Sequence, residues 1–372
     1  MGAPSIPPPR LQQVRNRTPF AHFQFDKMGK GQRFHDVVIA CGSFVLAPGV
    51  LQPAAVHRGP VFADVPWAPE RAVLSSLREA TDVLLTKPGA DVYVTGAAHA
   101  IDWAPRPAWE AKLSIERNGA LLVDKTLRLT GPRHWLWHDD PAERRLSEPE
   151  PAAEVALRYE LAHGGWWFDE GDAPDAAPRM HAPNPSGTGC FGSACRDVHA
   201  HARYDRGKPV PGPQIEYLAA PVLHGNQDVE VAGFGPIARH WQPRATLAGT
   251  YDEAWRRRFE GAPFMDYAED FDERFFQYAP ADQVAAQGLA GDEKLRMAGF
   301  FASAHSMEMQ LPGVRIDAIC RTAGGSETTE PMRLDTVHVD LDRMLVHLTW
   351  RLALDQAREI TGVDLFAQGA LS

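Results

Sequence analysis

The strongest constraint on this chain is a run of period-two alternation broken by Asn-Gly. In residues 111–129, Leu113 and Ile115 alternate with polar residues, Asn118-Gly119 follows, and Val123, Leu127 and Leu129 carry a second apolar run. Only a strand buries every second side chain. Asn-Gly supplies the two positive-φ positions of a type I′ turn, so the stretch predicts an antiparallel hairpin. The pattern recurs near the C-terminus. Val337, Val339 and Leu341 alternate in 333–341, and Met344, Val346, Leu348 and Trp350 alternate in 344–354, with Asp342-Arg343 between. Such a period implies one buried and one solvated face. Residues 35–47, 155–161 and 314–320 also read as strands. The expected fold is mainly β: sandwich-like antiparallel sheets, long Gly/Pro-rich loops and a few short helices.

Composition organises the rest. Residues 1–19 read as an extended Pro-rich arm and 20–161 as a β-rich region. Residues 162–236 are a long Gly/Pro-rich connection, and 237–372 a helix-bearing β-rich region expected to pack with the N-terminal part as one unit. A short helix is expected at 69–79, with Val73, Leu74 and Leu77 on one face. Residues 82–86 and 91–96 read as strand, turn and strand around Lys87-Pro88-Gly89. At 250–260, Thr250 and Glu253 have the spacing of a capping box, and Trp255 and Phe259 would share a helix face.

The formal charge of −10 disfavours nonspecific binding to nucleic acid or an anionic membrane. The tightest basic cluster, Arg256 to Arg258, is flanked by Asp252, Glu253 and Glu260 and reads as a solvated helix face. Four cysteines in 372 residues make no disulfide scaffold. The first residues lack an apolar h-region and no run of 18 apolar residues occurs, so a cytoplasmic protein is expected.

Candidate chemistry is sparse. Gly233-Phe234-Gly235 resembles a phosphate loop, but Pro236 has no amide to offer and Ala238 stands where a third glycine belongs. A tight turn with Phe234 and Trp241 as buried anchors fits better. Cys190, Cys195, His199 and His201 are the residue types zinc favours, although the histidine spacing departs from common zinc motifs. His134 and His138 lack a third ligand. Glu269, Asp270, Asp272 and Glu273 could serve a β-rich hydrolase or carbohydrate-active enzyme, and a solvated acidic turn is the competing account. No Gly-x-Ser-x-Gly elbow occurs. Ten tryptophans, many beside Gly and Pro, favour binding over catalysis.

Several long motifs carry a likeness: "DVVIACGSFVL" at 36–46, "LRYELAHGG", "NPSGTG", "AGFGPIARHWQPRATLAGTYDEAW", "DFDERFFQYAPADQ" and "LDTVHVDLDRMLVHLTWR". Through them the chain resembles a bacterial domain-of-unknown-function family of type VI secretion adaptor-chaperones, which load effectors onto the spike. The matching positions are Gly233, Phe234, Gly235, Pro236, Trp241, Arg244, Gly249, Thr250, Tyr251, Asp252, Trp255, Asp270, Asp272, Phe275, Phe276, Asp282 and Gln283. His163 stands where the family usually has Phe, Gln277 where it has Asn, and Lys87-Pro88-Gly89 looks like an insertion. The resemblance implies binding without a cofactor or chemical step. The implied partners are a secreted toxin and a spike protein, either the valine-glycine-repeat trimer or a PAAR-repeat tip. Special backbone angles are also expected at Gly233, Gly235 and Gly249, with Arg239 or Arg244 pairing locally with carboxylates.

Overall fold

The structure is a computed structural model and describes residues 11–369 except 137, 139–142, 169–175, 192–207 and 225–227. Its principal strands begin with β1 (Gln13–Asn16), β2 (Ala21–Met28), β3 (Phe34–Val45), β4 (Gly49–Val50), β5 (Ala90–Thr95), β6 (Ala108–Arg117), β7 (Ala120–Thr130) and β8 (Ile215–Tyr217). They continue with β9 (Val284–Ala285), β10 (Lys294–Phe301), β11 (Ala304–Gln310), β12 (Arg315–Thr322), β13 (Glu327–Pro331), β14 (Arg333–Asp340), β15 (Leu345–Asp355) and β16 (Ile360–Gln368). The fold is mainly β, as the alternation predicts.

Three sheets enclose one apolar core. One six-stranded sheet has the order β2-β3-β15-β14-β5-β9, a second has β8-β7-β6-β10-β11-β4, and a four-stranded sheet has β1-β16-β12-β13. The first sheet interleaves strands from both ends of the chain, and β5 pairs in parallel with β14. Val37 and Ile39, Leu113 and Ile115, Leu295 and Met297, and Ile316 and Val363 all belong to the shared core. Each such side chain contributes on the order of 1.5–3 kcal/mol through burial. No helix among the described residues is long and apolar enough to cross a membrane.

The Asn-Gly hairpin forms as expected. Asn118 and Gly119 take φ of 53° and 81° between β6 and β7, and Leu113, Ile115, Leu127 and Leu129 are fully buried. The C-terminal hairpin also forms, but its solvated face does not exist. β14 and β15 lie in the middle of their sheet, and both faces are covered. The polar face carries His338, His347, Thr349 and Arg351, and the irregular segment 51–89 lies over it.

Other expectations change. Residues 69–79 form no α-helix: a 3-10 turn covers Pro69–Leu74, and Leu77–Glu79 is a strand. Ser76 leaves the helical path because Glu160 accepts from its amide at 2.8 Å and from its hydroxyl at 2.5 Å. Residues 82–86 form no strand, since the carbonyls of Asp82 and Leu84 accept from Arg351 instead of a neighbouring strand. In 155–161 the strand is limited to the end of Glu154–Ala156, and Tyr159–Leu161 is a 3-10 turn. The connection 162–236 contains short strands, including Trp166–Trp167 and Val210–Pro211. The arm from residue 11 onward is tied down, with β1 parallel to β16.

Candidate interaction surface

The opening of the signature stretch is a buried hinge. Phe234 and Trp241 are each 1% exposed, as expected of anchors. Val94 N donates to Phe234 O at 2.9 Å, and Tyr159 Oη donates to Gly235 O at 2.8 Å. Gln283 Nε2 donates to both Val92 O and Phe234 O. Neighbouring Asp282 holds Lys125 at 2.9 Å and accepts from Tyr217 Oη. Pro236 is buried here too, so this turn offers no phosphate cradle. Two of the three expected special glycine angles are absent. Gly249 has φ of +85°, but Gly233 and Gly235 are not in the left-handed region. Gly233 is needed for space, because a Cβ there would sit 2.3 Å from the Tyr159 ring.

The arginines differ from expectation as well. Arg239 pairs with the distant Asp64 at 3.0 Å. Arg244 is buried and donates to two carbonyls, Ile237 O and Phe275 O, while lying over the Phe275 and Tyr278 rings. Carbonyls can satisfy a guanidinium whose planar face packs on aromatic rings.

From Thr250 the chain leaves the core and forms an exposed flap. Its helix α1 spans Glu253–Arg258, and the capping box is replaced by a single cap. Asp252 Oδ1 accepts from Trp255 N at 2.8 Å. Thr250 cannot cap, because its amide and hydroxyl both bind Asp270 at 2.8 Å. Glu253 turns outward to Arg256 and Arg257. Tyr251 packs edge to face on Trp255 at 4.8 Å between centroids, and Trp255 meets Phe259 in a tilted arrangement at 5.6 Å. Trp255 is half-buried, and Tyr251 is exposed rather than a core anchor. Tyr251, Phe264 and Met265 are 47%, 51% and 58% exposed. The base is held by Lys30 Nζ on Glu269 O, Gly31 N on Asp266, and Phe264 against Phe34 at 5.1 Å. Behind it, Phe271, Phe275 and Phe276 form an aromatic wedge that joins the core.

The 269–273 carboxylates brace this flap. Glu269 meets Arg258 at 2.5 Å. The hydrogen bonds from Thr250 hold the Asp270 carboxyl below its usual range. Asp272 caps the 3-10 turn Glu273–Phe276 and pairs with Arg274, whose hydrogen bonds lower its carboxyl too. A glycosidase general acid needs a raised carboxyl, and these two shift the other way.

The metal candidates divide. Cys195, His199 and His201 lie outside the described residues. Cys190 is a buried free thiol, and burial pushes it up to about 12, so it stays protonated at neutral pH. His134 hydrogen-bonds Ser147, while His138 is exposed. Among the described residues no group of three or more His, Cys, Asp or Glu is placed to hold a metal.

A second polar assembly, missed in the sequence, is sealed beneath segment 51–89. Lys87, the supposed insertion, is 1% exposed and meets Asp91 at 2.8 Å, Thr336 Oγ1 at 2.6 Å and the Tyr278 ring at 3.6 Å. Arg351 pairs with Asp335 at 2.6 Å. Burial opposes charge on Asp335, but Arg351 and Lys87 outweigh it and hold the carboxyl below its usual range. His338 bonds Thr95 Oγ1 at 2.7 Å, and His347 bonds Ser43 Oγ at 2.9 Å. Each ring's second nitrogen has no hydrogen-bond partner among the described residues. Burial first, then Arg58, lowers both, His347 to about 3. Alternate polar residues in 335–351 are the signal that could have revealed this layer.

A bacterial family described as "Uncharacterized protein conserved in bacteria (DUF2169)" matches residues 31–351. No curated protein and no solved structure matches the chain.

Proposed function

This chain belongs to that DUF2169 family, and we propose that it is an adaptor-chaperone that binds a type VI secretion effector and loads it onto a valine-glycine-repeat or PAAR-repeat spike protein. The observation that carries the reading is the flap. The 232–255 motif places Tyr251 in solvent, and the stretch between it and the 270–283 motif adds exposed Phe264 and Met265 with Arg256, Arg257 and Arg258. Aromatic residues, Met and Arg are the side chains that dominate protein interfaces. Their faces left open to solvent form a clustered apolar and cationic surface of the kind that covers a partner's apolar surface. The likeness of "AGFGPIARHWQPRATLAGTYDEAW" and "DFDERFFQYAPADQ" to adaptor-chaperones supports the same reading. Deleting the gene tests it. Effector solubility and secretion should both fall, and be restored by the wild-type gene. Unchanged solubility and secretion would reject the adaptor role.

A further inference from the structure

β11 is a strand with a short open edge. β10 pairs along one side of it. On the other side β4 reaches only Met309 and Gln310. At the opposite end the 3-10 turn Ile101–Trp103 packs against β11, with Asp102 N donating to Ala302 O at 2.8 Å. Between these two stops, Ala304 to Glu308 have no strand partner on that edge among the described residues. Five strand residues span roughly 16 Å. Proteins usually blunt such an edge with Lys, Pro or a bulge. The β13 edge follows that rule with Glu327, Glu330 and Pro331, whereas the open stretch of β11 carries Ala304, His305 and Ser306 and a single charge, Glu308, at its far end.

Two cavities border this edge and share Ala298. One, of about 190 Å³, lies at its start against Ile101, Trp109, Phe301 and Ala304. The other, of about 750 Å³, is a trench over the outer sheet face between Val50, Lys112, Arg296 and Glu308. The register sets Ser306 beside Ala298, Ala298 beside Lys112, and Glu308 beside Arg296. A shallow row of small residues is therefore bounded by two cations. Their present partners are exposed: Lys112 meets Asp124 at 2.8 Å and Arg296 meets Glu308 at 3.5 Å. Such pairs hold by only about 0–1 kcal/mol and can turn to a ligand carboxylate. At the slot's end Asp102 and Trp103 have φ of 56° and 55°. Consecutive left-handed non-glycine residues persist only where their surroundings impose them. Here they leave Trp103 57% exposed against His99, with ring centroids 4.4 Å apart.

We infer that the β11 edge binds an extended segment of a partner protein by strand addition. The segment seats a bulky apolar side chain in the cavity beside Ala304. Two residues along, on the same face, it places a carboxylate within reach of Arg296 on the adjacent strand β10. Same-face spacing of two is the strand period. A slot stopped at both ends suits a linear segment that leaves the sheet plane on each side. A second copy would bring its own β4 and Ile101–Trp103 turn into the same space. This surface goes beyond the flap reading and stands on its own geometry.

The test is selection of a random twelve-residue phage-displayed peptide library on the full chain. Enriched peptides should carry an apolar residue and an acidic residue two positions apart. Their affinity should fall at least tenfold on Ser306→Lys, which installs an edge lysine, and on Ala304→Trp, which fills the cavity. Tyr251→Ala should leave it unchanged. Ser306 is exposed, so its variant carries the test if Ala304→Trp folds poorly by circular dichroism. Absence of such peptides, or unchanged affinity on Ser306→Lys, overturns the slot and leaves the flap reading standing. A dimer in light scattering that Ser306→Lys dissolves overturns it in favour of a second copy.

Discussion

Asp335–Arg351 and Glu269–Arg258 are one chemical pair in two surroundings, at 2.6 and 2.5 Å. The first pair is 3% exposed on both sides, the second 78% and 52%. Beneath segment 51–89 the charges are desolvated, so each needs its partner and the network holds one arrangement. On the flap the same contact is screened by water and contributes about 0–1 kcal/mol. The acidic cluster most conspicuous in the sequence is thus the energetically weak one, free to be rearranged by a partner. The ion pairs that hold the fold are scattered among alternating strands.

The largest expected effect lies in the sealed layer. Arg351→Ala should lose about 3–5 kcal/mol of unfolding free energy in urea, because buried Asp335 loses its paired cation and keeps only the Thr336 hydroxyl and the more distant Lys87 charge. A loss below about 1 kcal/mol would erase the contrast with the flap.

Acid should act on the same layer. His338 and His347 have pKa values lowered in the folded protein. The unfolded chain then binds protons first, and stability present above pH 6.5 is lost as pH falls toward the folded value. With its folded value at about 3, His347 loses about 1.4 kcal/mol per pH unit below 6.5, about 2 kcal/mol at pH 5, and His338 shifts stability in the same direction. For His347 the window closes near its folded value of about 3. His347→Gln should flatten the fall between pH 6.5 and 5 in urea titrations. An equally steep fall in that variant would move the acid sensitivity elsewhere.

A smaller effect separates the two halves of the signature stretch. Gly233→Ala should cost about 1–3 kcal/mol, because the new methyl meets the Tyr159 ring in a packed core. Arg258→Ala on the flap should shift the melting midpoint by no more than about 1 kcal/mol's worth. Equal melting shifts would mean that the flap is part of the core.

Much of the fold was legible because period-two alternation and Asn-Gly are local signals. The hairpins β6–β7 and β14–β15 follow from them directly. Alternation could not say whether the polar face meets water, since burial of His338 and Arg351 depends on segment 51–89 crossing from elsewhere. Lys87 misled for the same reason: its partner Thr336 is 249 residues away. The cap of α1 was missed by two residues, because Asp270 takes the Thr250 hydroxyl across 20 residues. The site was half legible. The aromatic motif marked the flap, but exposure of Tyr251, Phe264 and Met265 is a tertiary fact.

The most direct test of the adaptor account is co-purification of this chain with the protein encoded by the adjacent gene. Wild type should be compared with Tyr251→Ala/Phe264→Ala/Met265→Ala. The account predicts a wild-type complex at least tenfold tighter than that of the triple variant, with melting temperatures within a few degrees of each other. A triple variant that is fully folded and binds as tightly as wild type would contradict it.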